Sequence, residues 1–298
     1  MPVLFAGPAV VSGASGFVGS MLCSGLGSAR ALHMATPDWR EEAARVSFRD
    51  ATVFHLAARV HGAGGDADYV SDNVEKTRWL AEHAANAGAR TFIFLSSIKV
   101  NGEASGPGPF TEADPPDPQD AYARSKLDAE RALERIAEGS GMRVVIVRPP
   151  LVYGAGARGN LAALLRLADS SWPLPFGALD QPRSFVHVGD LCELLQKCAS
   201  HEAARGIYLA AHREPVTTAR LVTLVRRELG RAPRLFSVNR GLLTGLAGMA
   251  GKRELAERLS RPLVADPALA QRQLGWIARR GIEECVLDLV RGHRGAAS

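Results

Sequence analysis

Ser97, Tyr122 and Lys126 have the types and spacing for acid–base work at an alcohol or ketone oxygen. Tyr122 and Lys126 are four residues apart, so a helix puts them on one face. A free phenol loses its proton near pH ~10 and is a poor acid or base at neutrality. A neighbouring ammonium favours the phenolate and lowers that value, so the pair is expected to hold an acidified phenol. Such a phenol can pass a proton to or from a carbinol oxygen while a nicotinamide moves hydride. The Ser97 hydroxyl can hold the same oxygen. A Tyr-x-x-x-Lys pair by itself also fits an ordinary half-exposed helix, so its weight comes from its company.

That company is the stretch Val10-Val11-Ser12-Gly13-Ala14-Ser15-Gly16-Phe17-Val18-Gly19. A short apolar run meets a glycine turn, and Phe17, Val18, Met21, Leu22 and Leu26 follow at helical spacing. Strand, loop and helix in that order cradle a diphosphate: loop N–H groups and the positive helix end favour the anion. Gly13 suits the tight turn, Gly16 a close approach of the main chain to the pyrophosphate, and Gly19 close helix–strand packing. The spacing is G-x-x-G-x-x-G, and its strand–helix context carries the reading.

The remaining elements must bring these two groups together. Strands are predicted at Ala9 to Ser12, Ala31 to Ala35, Ala51 to Ala58, Thr91 to Ser97, Met142 to Arg148 and Gly206 to Ala210, with helices between them. This alternation implies a parallel sheet. Too few residues lie between the second and third strands for a full strand–helix repeat, so one unit of the winding is trimmed. Ser96 and Ser97 end a near-continuous apolar run, at the carboxyl edge where open α/β sheets bind ligands. Ser71 is expected to start a helix reaching about Ala87, and Asp120 to cap the helix carrying Tyr122 and Lys126. The long Gly/Pro-rich loop from Gly102 to Asp120 is of a kind that is usually functional. After strand two, Thr36-Pro37-Asp38-Trp39-Arg40 offers both charge signs, so NAD and NADP both stay open. The expected architecture is an α/β Rossmann-type doubly wound parallel sheet with a smaller C-terminal α/β substrate lobe. Residues 1–159 form the dinucleotide-binding part, with 184–210 returning to it; 160–183 and 211–298 form the substrate lobe.

The 298 residues carry 36 Lys and Arg against 31 Asp and Glu, a net charge of +5 that is spread along the chain. That suits an anionic small ligand better than a duplex. The most basic series, Arg226, Arg227, Arg231, Arg234 and Arg240, lacks regular aromatic interleaving and reads more readily as a solvated face than as a nucleic-acid site. Four cysteines without paired spacing read as reduced thiols. His55 and His61 lack a third ligand, so no metal is expected. Without a basic lead-in or an apolar run near ~20 residues, neither a signal peptide nor a membrane span is expected, and the location is expected to be cytoplasmic. The tail from Gly292 to Ser298 is expected to be disordered.

Taken together, the sequence resembles the extended short-chain dehydrogenase/reductases, the NAD-dependent epimerase/dehydratase family that acts on nucleotide sugars. The likeness is carried by Gly13-Ala-Ser-Gly-Phe-Val-Gly19, His55-Leu-Ala-Ala58, Asn73-Val-Glu-Lys-Thr77, Leu95-Ser-Ser-Ile-Lys-Val-Asn-Gly-Glu103, Tyr122-Ala-Arg-Ser-Lys126, Arg148-Pro-Pro-Leu-Val-Tyr-Gly154 and Arg183-Ser-Phe-Val-His-Val-Gly-Asp190. The stretch from Ser97 to Glu103, with Pro173-Leu-Pro-Phe-Gly177, is most similar to a branch making bacterial surface polysaccharide precursors. That branch holds UDP-4-keto-sugar reductases of N-acetylquinovosamine type and related 4-epimerases. The resemblance implies Tyr122 as proton donor or acceptor, Lys126 on the nicotinamide ribose and Ser97 on the substrate oxygen. It implies Gly13, Ser15, Gly16, Phe17, Val18, Gly19, Ala57, Ala58 and Pro149 along the NAD or NADP cofactor. It implies Asn160 and Arg183 at the diphosphate of a UDP-sugar, and a homodimer through helices near 71–87 and 121–138. The second diphosphate-binding arginine stays open among Arg253, Arg258 and Arg261. Three activities remain: a 4-keto reductase, a 4-epimerase retaining its NAD, and a non-catalytic nucleotide-binding sensor.

Overall fold

The computed structural model describes residues 4–60, 65–157, 159–249 and 253–295. Six parallel strands run β1 (Ala9–Ser12), β2 (Arg30–Leu32), β3 (Thr52–His55), β4 (Thr91–Leu95), β5 (Arg143–Arg148) and, much later in the chain, β9 (Gly206–Leu209). Their spatial order is β2-β1-β3-β4-β5-β9. The chain leaves β1 for β2 on one side and resumes at β3 on the other. A crevice therefore opens between the carboxyl ends of β1 and β3. β2 has only three residues and stands at the sheet edge, which fits the trimmed winding unit.

Side chains alternate across the sheet because a strand repeats every two residues. Val11, Phe54, Ile93 and Val145 face one layer, built from α1 (Phe17–Gly25), α7 (Val188–Ser200) and α11 (Ala268–Leu274). Val10, Val53, Phe92, Phe94 and Ile146 face the other. That layer holds α2 (Trp39–Ala44), α4 (Lys76–Asn86) and α5 (Ala121–Ser140). Both faces are covered, as an all-parallel sheet requires.

The helix leading into α4 begins earlier than the Ser71 cap suggested. It opens as α3 (Asp66–Tyr69), passes through a π turn at Val70–Glu75 and continues as α4. The expected second strand shortens to Arg30–Leu32, since the residues beyond Leu32 turn away toward α2. His61 lies outside the described residues.

Beyond β5 come β6 (Leu151–Tyr153), α6 (Asn160–Ala168), β7 (Pro182–Arg183) and β8 (Phe185–His187). After β9 follow β10 (Val216–Thr217), α8 (Thr218–Glu228), α9 (Arg240–Met249), α10 (Arg253–Leu259) and α12 (Ile282–Gly295). β6 pairs with β8, β7 with β10, and a separate apolar cluster of Tyr153, Leu165, Val222, Val225 and Leu289 lies among α6, α8 and α12. Two expectations fail here. Helix α12 continues through Gly292 to Gly295, because Gly292 packs on the 155–156 backbone; a Cβ there would lie 2.6 Å from Ala155 Cα, and residues 296–298 of the expected tail lie outside the described residues. Arg226 is no part of a solvated face. It is 1% exposed, and its guanidinium donates to the carbonyls of Ala232, Trp172 and Ser170 at 2.9, 2.9 and 3.0 Å.

Candidate active site

The glycine stretch folds as the strand–loop–helix reading anticipates. Gly13 follows β1 with φ +76°, a left-handed conformation that glycine adopts without a Cβ penalty. A Cβ on Gly13 would come within 2.7 Å of the Ala57 nitrogen, and one on Gly19 within 2.0 Å of the Gly13 carbonyl oxygen. The loops after β1 and β3 therefore touch at the crevice. Gly16 caps α1 without a side-chain bond, and the first turn of α1 holds no acid. An acid-free helix start beside a glycine turn fits the pyrophosphate of a dinucleotide. Ser15 is exposed in the turn, Phe17 and Val18 are half-buried against the core, and Ala57 and Ala58 line the β3 side.

The acid–base set gathers at the ends of β4 and α5. Ser97 ends the β4 segment and caps a 3-10 turn at Ile98–Val100, its Oγ accepting from the Lys99 N–H at 3.3 Å. Asp120 caps α5, its Oδ1 accepting from the Ala123 N–H at 2.7 Å. Tyr122 is half-buried in the first turn of α5, its phenol near enough to the Ser97 hydroxyl for that group to pull its pKa down. Its ring lies edge-on to Tyr69 with centroids 6.4 Å apart.

Lys126 is 1% exposed, one turn further on. Its Nζ donates to the Leu95 carbonyl at 2.8 Å and sits 4.3 Å from the Phe94 ring centroid. Burial brings its ammonium down to about 7, with the Glu130 carboxylate pulling the other way. The expected acidified phenol does not arise within the chain itself. Burial pushes Tyr122 well above the usual phenol range, Ser97 pulls it down, Asp120 and Tyr69 push it up, and Lys126 is not among its perturbers. The physical reason is that burial penalises the phenolate, and the same burial brings Lys126 down to about 7, so near neutrality it carries only part of a positive charge.

Glu130, one turn beyond Lys126, was not singled out from the sequence. The i, i+4, i+8 series from Tyr122 was the signal that could have found it. Its carboxylate takes Arg148 Nε at 3.0 Å and Nη2 at 2.5 Å, and also accepts from the Ser96 hydroxyl. Arg148 Nη1 completes the set by donating to Asn101 Oδ1 at 3.0 Å. Both charged side chains are 2% exposed. This bidentate pair pins α5 to the carboxyl ends of β4 and β5, and so fixes where Tyr122 stands.

A second buried network ties the cofactor crevice to α5. Ser12 Oγ meets His55 Nδ1 at 2.5 Å, and His55 Nε2 meets Thr77 Oγ1 at 2.8 Å. The Thr77 hydroxyl donates to the Asn73 carbonyl at 2.7 Å. The Asn73 amide, set in the π turn, brackets the Arg59 main chain at 2.7 and 3.0 Å and donates to Ser125 Oγ at 3.0 Å. His55 is thus a satisfied core histidine, and burial with the Lys126 charge brings it down to about 3. Among the described residues no three His, Cys, Asp or Glu side chains converge as metal ligands.

Of the expected substrate contacts, Arg183 stands on β7, half-buried, with Nη1 donating to the carbonyls of Arg258 and Arg261 at 2.7 and 2.9 Å. Asn160 starts α6, and its side chain lies outside what is described, as does that of Arg253. Pro149 is buried and its carbonyl accepts from the Ile98 N–H at 2.9 Å, beside Ser97. The long loop from Gly102 to Asp120 is zipped onto the segment after α10: Phe110 N–H donates to Val264 O at 2.7 Å and Asp266 N–H to Phe110 O at 2.8 Å. Ser184 N–H donates to Leu263 O at 2.8 Å, so the same segment also holds β7. Ser97, Tyr122 and Lys126 are brought together, with the glycine loop on the same sheet edge. Among the described residues no helix is long and apolar enough to cross a membrane.

Residues 9–211 match the NAD dependent epimerase/dehydratase family. A UDP-glucose 4-epimerase of Vibrio cholerae is 36% identical over 240 residues, spanning 78% of this chain and 73% of that protein. RMD from Pseudomonas aeruginosa, complexed with NADPH, has the same fold, with a TM-score of 0.79 at 21% identity over 97% of this chain and 100% of that one. MoeE5, in complex with UDP-glucose and NAD, aligns over 98% of this chain and 100% of its own with a TM-score of 0.74 and 26% identity. Glycine cradle, Ser97–Tyr122 contact and buried Lys126 thus stand in a chain that belongs to the NAD-dependent epimerase/dehydratase family of enzymes.

Proposed function

We propose that the protein is an NAD(P)-dependent oxidoreductase that reduces the C4 ketone of a UDP-linked 4-keto-deoxy-amino sugar, in the making of surface polysaccharide precursors. The observation that carries this reading is the Ser97–Tyr122 contact at the rim of the cofactor crevice. The phenol is protonated at neutral pH, and a ketone that gains hydride becomes an alkoxide basic enough to take its proton even though burial pushes the phenol above its usual range. A nicotinamide bound beside Gly13, Gly16 and Gly19 would supply the hydride. Ser97 then holds the ketone oxygen, and Tyr122 gives that oxygen its proton as the carbon gains hydride. The phenolate so formed recovers a proton from solvent. Lys126 bears on the ribose of the cofactor, and Arg183 and Asn160 on the sugar-nucleotide diphosphate. The reading includes a homodimer through α4 and α5, which light scattering would show as a doubled mass.

The runner-up is a 4-epimerase that retains its NAD, and the Vibrio cholerae relative favours it. An epimerase must begin by taking a proton, so it needs Tyr122 as phenolate. Absorbance at 340 nm separates the two. Stoichiometric loss of added NADH or NADPH with a UDP-4-keto sugar supports the reductase. Interconversion of two UDP-sugars without added cofactor supports the epimerase. Nucleotide binding without turnover of either kind would leave a sensor.

A further inference from the structure

Four charged side chains meet where three parts of the site join. Lys99, two residues after Ser97, places Nζ 2.6 Å from Asp120 Oδ2 and 3.1 Å from Glu103 Oε1. Arg258, on α10, places Nε 3.3 Å from Glu103 Oε2 and Nη2 3.6 Å from Asp120 Oδ2. Each carboxylate is therefore shared by both cations. The four side chains are only 15–29% exposed, so water screens them less than open surface pairs.

Asp120 uses its two oxygens for different tasks. Oδ1 caps α5 at the Ala123 N–H, one residue past Tyr122, while Oδ2 faces Lys99 and Arg258. On the other side, the Arg258 main-chain carbonyl accepts from Arg183 Nη1 at 2.7 Å. One residue thus touches the cap of the helix that bears Tyr122, through Glu103 and Lys99 the turn that Ser97 caps, and the arginine meant for the diphosphate.

We propose that Arg258 is a positioning residue: with Lys99, Glu103 and Asp120 it latches α10 to the N-terminus of α5. The latch sets the distance between the phenol and the Arg183 guanidinium, hence between the two ends of a bound nucleotide sugar. It acts through Asp120 and Arg183 and touches no reacting atom. The consequence for binding rests on the functional reading above; the latch itself does not.

The test uses the full chain and three variants, Arg258→Met, Lys99→Met and Arg258→Lys. Hydrogen exchange reads the latch without any substrate. Arg258→Met is expected to speed exchange at the Ala123 amide, and Lys99→Met at the α10 amides, each roughly fivefold or more, the reciprocity of a coupled network. Arg258→Lys, which keeps the charge, restores part of the protection. UDP is the binding probe: its affinity falls in Arg258→Met, while NADPH and NADH bind that variant as they bind the parent. Faster exchange confined to the mutated element overturns the latch. So does unchanged UDP affinity in Arg258→Met, or loss of UDP and cofactor binding in parallel. If the parent itself binds no UDP, the functional reading falls and the exchange experiment alone decides the latch.

Discussion

Removing the Glu130 carboxylate tests most sharply how the fold positions α5. Glu130→Leu keeps the side-chain size and deletes both oxygens. Arg148 then loses two of its three side-chain contacts, at Nε and Nη2, and keeps Asn101. The Ser96 hydroxyl loses its acceptor as well. Because both charges are 2% exposed, water cannot replace the lost partner without opening the core. Breaking such a buried pair from one side costs ~3–5 kcal/mol. At ~2–4 °C per kcal/mol for domains approaching this size, Tm falls by roughly 6–20 °C. The double variant Glu130→Leu/Arg148→Met removes the stranded guanidinium and is expected to lie closer to the parent than the single variant does. A double-mutant cycle on denaturant midpoints at fixed pH reads this coupling. A single variant melting within ~2 °C of the parent, or two substitutions whose costs simply add, would refute the assignment of this pair as the anchor of α5.

Other consequences follow from the same geometry. Gly19→Ala places a Cβ against the Gly13 carbonyl, so the loop must shift. Overpacking of ~1–3 kcal/mol should lower the melting temperature by roughly 2–12 °C and, by displacing the loop, weaken NADH or NADPH binding about tenfold, as read by nucleotide fluorescence. His55 is held near 3 in the fold, below its unfolded value of ~6.5, so the unfolded chain takes the proton first. Its contribution is whole above the unfolded value and is lost as pH falls through 6.5 toward about 3. Urea midpoints measured from neutral pH downward should therefore fall more steeply for the parent than for His55→Gln.

Much of this architecture was legible in the chain. The near-continuous apolar run from Thr91 to Ser97 read as a central strand buried on both faces, which the structure ends at Leu95, and the trimmed second unit showed in the few residues before Thr52. Asp120 announced the start of α5. What stayed hidden depends on contacts between residues far apart in sequence. Arg226 looked like one more surface arginine, because three main-chain carbonyls arranged to receive its guanidinium leave no trace in composition. Ser71 looked like a cap, but it lies inside the π turn at Val70–Glu75 and the helix opens at Asp66, so the capping signal misplaced the start. The spacing of Tyr122 and Lys126 revealed their shared face. Whether the ammonium reaches the phenol or the Leu95 carbonyl depends on where β4 ends beneath it.

The account depends on the phenol of Tyr122 giving the proton at a crevice that binds the dinucleotide without it. The decisive measurement is turnover and cofactor affinity of Tyr122→Phe, taken side by side with the parent. We expect turnover to drop by about 10²–10⁴ while NADH or NADPH binds within about twofold of the parent. Turnover equal to the parent's would contradict the account.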